Sequence, residues 1–138
     1  MAIDELMTIG QLASRTGASI RALRRYTDLG LVYTMGRSPG NYRLYDESAV
    51  WCVQVIGNLR RLGLTISEIN RLAGAYLEKP EEPIGPHLDV LLGDVERRLD
   101  ARIGELEAIR RRLHEFRRQH GDELAGHRDL AESDPSRA

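Results

Sequence analysis

Six arginines, Arg15, Arg21, Arg24, Arg25, Arg37 and Arg43, stand in the first 45 residues against three acids. A guanidinium offers several N–H donors in a rigid fork that fits a phosphate or the edge of a guanine, so such a cluster is chemistry for holding a polyanion. The surplus ends there. Residues 46–78 hold three arginines and four acids, residues 79–120 nine bases and nine acids, and residues 121–138 two and five, so the net charge of -1 averages over a basic N-terminal third. Other candidates for chemistry are few. Cys52 is the single cysteine; it can form neither an intramolecular disulfide nor a cysteine-rich metal site, and beside Trp51 it reads as a buried, inert thiol in a cytoplasmic chain. His120 and His127, with Asp122 and Glu123 between them, have donors that suit zinc, nickel or cobalt, but a gap of that length in a Gly-rich acidic tail more often marks a loose end. His87 and His114 have no partner at ligand spacing, and no cofactor or metal is expected. No Gly-rich phosphate loop, paired helical histidines or Ser-His-Asp order is present, so an enzyme is not expected.

The elements that must position these arginines are legible in turn. With 138 residues, 41% of them hydrophobic and 30% charged, the chain can build one core, and its low aromatic content of 5% suits helices. No apolar run approaches the ~20 residues of a membrane span, and no secretory signal pattern opens the chain. Thr8-Ile9-Gly10-Gln11 has the form of a capping box and predicts a first helix over 8–15. Gly17 supplies a turn and Ser19 an N-cap for a second helix, with Ile20 and Leu23 on one side, that Gly30 ends. Two short helices joined by a glycine turn are a helix-turn-helix, whose second helix can enter a major groove.

From Leu31 to Tyr45 two β-prone runs flank Gly36-Arg37-Ser38-Pro39-Gly40-Asn41 and predict a hairpin. Asp46 caps a third helix that Gly63 stops, and Thr65-Ile66-Ser67-Glu68 is a second capping box that opens a fourth. Pro80, Pro83 and Pro86 mark a linker over 79–86. A long helix over 87–120 then carries apolar residues at spacings of four and three: Leu88, Leu92, Val95, Leu99, Leu106, Ile109, Leu113 and Phe116. Arg102 takes the one interrupting slot, with Ile103 beside it. Such a seam has no place to be buried in so small a domain and predicts a coiled-coil homodimer. The tail, 121–138, is acidic and reads as flexible.

Met7-Thr8-Ile9-Gly10-Gln11-Leu12-Ala13, Ala22-Leu23-Arg24-Arg25-Tyr26, Leu29-Gly30-Leu31-Val32, Asn41-Tyr42-Arg43-Leu44-Tyr45 and Leu62-Gly63-Leu64-Thr65-Ile66-Ser67-Glu68-Ile69, in that order, resemble the MerR family of transcriptional regulators. The resemblance implies a mainly α fold: a winged helix-turn-helix over 7–78, followed by a dimerisation helix that forms an antiparallel coiled coil. It further implies a homodimer on two half-sites of a near-palindromic promoter operator in double-stranded DNA, which it distorts so that RNA polymerase can use the promoter, in response to an effector. An architectural DNA-bending protein and an effector-independent repressor are the alternatives, and an aromatic or histidine usual in the family is replaced here by Arg25.

Under that resemblance Ser19, Arg21, Arg24, Arg25, Tyr26, Arg37, Tyr42, Arg43, Tyr45 and Arg60 are the expected DNA-binding residues. Alternatives stand beside several of them. Arg24 can turn toward the domain's own carboxylates, Tyr26 can bond a phosphate or close the core, and the wing tyrosines can be packing residues around Arg43. Arg60 and Arg61 can contact phosphate or complement a helix dipole. Leu88, Leu92, Val95, Leu99, Ile103, Leu106, Ile109, Leu113 and Phe116 are the expected dimer interface.

Overall fold

The computed structural model describes residues 5–137, which form six α-helices with no extended strand among them. They divide into two compact units, the first ending at Val95 and the second beginning at Glu96.

In the first unit, α1 (Ile9–Thr16) opens on the expected capping box, with Thr8 Oγ1 accepting the Gln11 N–H and Gln11 Oε1 accepting the Thr8 N–H. Gly17, at φ 76°, turns the chain, and Ser19 starts α2 (Ile20–Asp28) by accepting the Ala22 N–H at 3.1 Å. The helix ends as a Schellman motif on Gly30: the Leu31 N–H reaches the Tyr26 carbonyl at 2.9 Å and the Gly30 N–H that of Thr27 at 3.0 Å. Leu12 of α1 and Leu23 of α2 are fully buried, each worth about 1.5–3 kcal/mol relative to exposure, and this fixes the angle at which α2 is presented.

The third helix, α3 (Glu47–Leu62), is capped by Asp46 and buries Ala49, Val50, Val53, Ile56 and Leu59 on one face. Arg15 of α1 clamps it through both terminal guanidinium nitrogens to Glu47, Nη2 at 3.0 Å from Oε2. That bond holds the Glu47 carboxyl below the usual carboxylate range and raises the Arg15 guanidinium further. Gly63, at φ 106°, turns the chain into α4 (Ile66–Glu78), which begins on the second capping box, Thr65 with Glu68.

Two expectations are corrected here. The hairpin over 31–45 is not a pair of strands: its two arms share one isolated antiparallel bridge, Arg37 with Arg43, and a second bridge ties Tyr45 to Met7 ahead of α1. Met35 donates to the Leu44 carbonyl while the Leu44 N–H turns to Gly36 instead, so two residues oppose one, and Gly36 is at φ 84°. That bulge interrupts the ladder. The second correction concerns α5 (Gly85–Gln119). Its first turns belong to the first unit: Leu91 and Val95 are buried, and Leu88 and Leu92 are half-buried against the same core. Val95 is therefore inside its own chain rather than in an open seam, while Leu88 and Leu92 rest on the same core and stay half exposed. Gly63 makes room for Val95, since a Cβ there would lie 3.2 Å from Val95 Cγ1.

In the second unit α5 continues to Gln119, followed by α6 (Gly121–Leu124) and two 3₁₀ turns, Leu130–Ser133 and Pro135–Arg137. Leu99, Ile103, Leu106, Ile109, Leu113 and Phe116 are all about half exposed. The remainder of the predicted seam is thus an open apolar stripe. Among the described residues no helix is long and apolar enough to cross a membrane.

Candidate nucleic-acid interface

The basic surface is built by α2 and the bulged hairpin. Arg21, Arg24 and Arg25 are exposed along α2, because Leu23 and the half-buried Tyr26 take the inward side of the helix. Ser19, at the head of the same helix, spends a lone pair on its cap. The hairpin tip is shaped from within: the Ser38 N–H bonds the Tyr42 carbonyl at 2.8 Å, Asn41 is left-handed at φ 66°, and Arg37 Nη1 closes on the Asn41 carbonyl at 3.1 Å. Tyr42 is largely exposed, and its ring lies against Gly40, where a Cβ would come within 3.0 Å of it.

Between α2 and the hairpin runs a groove of about 300 Å³, lined by Arg24, Asp28, Asn41, Tyr42 and Arg43 and by the head of α1 at Thr8 and Ile9. Arg43 Nη1 bonds Asp28 Oδ1 at 3.0 Å across it. Of the two arginines in the groove, Arg43 and not Arg24 meets the domain's own carboxylate. Asp28 was missed by sequence reasoning, although a signal existed: it is the one acidic residue between positions 6 and 45.

Tyr45 is corrected outright. It is fully buried, its backbone pairs with Met7 in both directions at 2.8 Å, and its hydroxyl lies 2.9 Å from Thr27 Oγ1. Since the Thr27 hydroxyl donates to the Leu23 carbonyl, the Tyr45 phenol is the donor to Thr27. This tyrosine ties the hairpin to α2 from inside and presents nothing to a ligand. Arg60 is exposed but engaged, with Nη1 on the Leu64 carbonyl at 3.0 Å, and Arg61 bonds Asn58.

The remaining chemistry is spare. Cys52 is half-buried rather than fully buried, and burial pushes its thiol up, followed in effect by the Asp46 charge, which keeps it inert. The His120 ring stacks on Phe116 with centroids 4.3 Å apart, and its Nδ1 lies 3.8 Å from Glu123 Oε2. Among the described residues no three of His, Cys, Asp and Glu converge as a metal site would need.

Comparison with known proteins gives this geometry its relatives. Residues 7–75 match the model of the MerR HTH family regulatory protein, and residues 50–119 that of the MerR DNA-binding segment. A ZntR homolog of Haemophilus influenzae, an HTH-type transcriptional regulator, is 32% identical over 111 residues, covering 80% of this chain and 81% of that protein. The mercuric resistance operon regulatory protein of Bacillus cereus is 30% identical over 76% of this chain and 78% of its own. The nodulation protein NolA of Bradyrhizobium is 40% identical over 63 residues, of which the chain spans only 27% of that protein's length. Among solved structures, the transcription regulator PbrR691 of Ralstonia metallidurans, in complex with lead(II), superposes with a TM-score of 0.69 at 30% identity, over 81% of this chain and 86% of that one.

Proposed function

This chain belongs to the MerR family of helix-turn-helix transcriptional regulators, and from that premise we propose that it acts as a homodimer on a near-palindromic promoter operator. One observation carries the reading: Arg21, Arg24 and Arg25 stand exposed on a rigidly capped α2 beside a hairpin that carries Arg37 and Arg43. The helix enters the major groove, where its arginines reach guanine edges and phosphates, and the hairpin grips the flanking backbone.

Each chain supplies one such surface, and the open stripe from Leu99 to Phe116 supports an antiparallel pairing that holds the two a fixed distance apart. The operator is bent and untwisted to meet that spacing, so that dimer geometry is converted into promoter geometry for RNA polymerase. An effector biases that distortion.

Selecting genomic fragments with the purified protein, at two salt concentrations and with no effector added, tests this directly. Recovery of an inverted repeat inside a promoter is the expected result. Weak, wholly salt-dependent binding with no shared motif would instead favour an architectural DNA-bending protein.

A further inference from the structure

Asp28 is out of place at its end of the helix. It sits in the last turn of α2, where the helix dipole disfavours an anion. It is exposed on the helix that carries Arg21, Arg24 and Arg25, with no other acid between positions 6 and 45. It is paired with Arg43, 3.0 Å away across the groove between α2 and the hairpin, while Arg24 lines the same groove. A carboxylate bonded to one guanidinium with a second nearby has the charge and the oxygen geometry of a backbone phosphate.

We propose that Asp28 is a specificity-determining residue for DNA binding: its carboxylate holds on Arg43 the place a DNA phosphate would take, and so masks the wing against duplex in general. The proposal rests on the reading of α2 and the hairpin as the DNA surface. The pair is solvent-exposed, hence weak enough to be exchanged for a phosphate. That exchange happens only where α2 is seated deeply enough to bring a phosphate into the groove. On arbitrary sequence Arg43 stays neutralised and contributes no counterion release.

The test is equilibrium binding of the 138-residue chain to a labelled random-sequence duplex across a salt series, for the unaltered protein, Asp28→Asn, Arg43→Ala and the double variant. Circular dichroism confirms that each is folded. Asp28→Asn should bind roughly five- to tenfold more tightly near 0.1 M salt, with the slope of log K against log salt steeper by about one. Arg43→Ala alone should leave the slope on random sequence nearly unchanged, because the masked guanidinium releases no counterion there, and in the double variant the steepening produced by Asp28→Asn should be lost. Tightening by Asp28→Asn that persists undiminished without Arg43 would show a general charge effect and overturn the proposal. Unchanged or weaker binding by Asp28→Asn, with Arg43→Ala still harmful, would also overturn it while leaving the DNA surface intact. If Arg43→Ala and Asp28→Asn both leave binding unaltered, the wing assignment falls together with the proposal.

Discussion

The arginines of the first unit differ in whether their guanidinium groups are already engaged. Arg15 is tied to Glu47, Arg43 to Asp28, Arg37 to the backbone of its own turn and Arg60 to the Leu64 carbonyl, whereas Arg21, Arg24 and Arg25 line the exposed side of α2. The Arg15–Glu47 bond sets one pH response. Glu47 has its pKa depressed in the fold, so the stabilisation it brings is present above its unfolded pKa and is lost as pH falls through the lower folded value. Asp46, whose carboxyl is lowered chiefly by the Ser48 hydroxyl, loses its cap of α3 in the same acid window. Acid titration of the Glu47→Gln variant by far-UV circular dichroism should accordingly show a shallower loss of stability below the usual carboxylate range. Tyr45 gives a second prediction at this scale. Removing only its hydroxyl in Tyr45→Phe leaves Thr27 Oγ1 without its donor and should cost about 1 kcal/mol in urea unfolding, with DNA affinity unchanged because the ring is inside.

Helix boundaries are set by side chains that satisfy end groups, and this is why they could be read locally. Thr8, Ser19, Asp46 and Thr65 each accept an N–H three residues on, a geometry that depends on nothing distant. Gly63 is different. Its φ of 106° demands glycine for conformational reasons, and its missing Cβ also leaves space for Val95 at 3.2 Å. Gly63→Ala should therefore combine backbone strain with a displaced α5, at a cost of about 1–3 kcal/mol in denaturant melts. An equal substitution at Gly74, inside α4 with no atom within 4 Å of the added Cβ, should be neutral or stabilising. The hairpin is the element that local reasoning overstated, because its β-prone residues gave no sign that Gly36 would be inserted as a bulge opposite Leu44.

For the whole molecule, the apolar positions of α5 serve two ends. Those up to Val95 complete the core of the first unit, and those from Leu99 onward form the exposed stripe. Substituting a charge should separate the two. Val95→Asp buries an unpaired carboxylate and should abolish cooperative unfolding of the first unit. Leu99→Asp with Leu106→Asp should instead leave that unit folded, yield monomers in sedimentation velocity and forfeit most affinity for a two-half-site operator, because linked half-sites act through effective concentration. A dimer that survives the second pair would refute the stripe as its interface.

The sequence by itself determined the caps, the helix order, the helix-turn-helix and the basic face, because capping and side-chain periodicity act within a few residues of chain. It also determined that α5 has an apolar face. Only the tertiary structure decided what covers each length of that face, that Tyr45 is a core residue, and that Arg43 meets Asp28, 15 residues away in the chain. A period specifies that a surface must be buried and a charge that it needs a partner; which partner arrives is settled in three dimensions, by how α1, α2 and α3 close on Leu12, Leu23 and Val53.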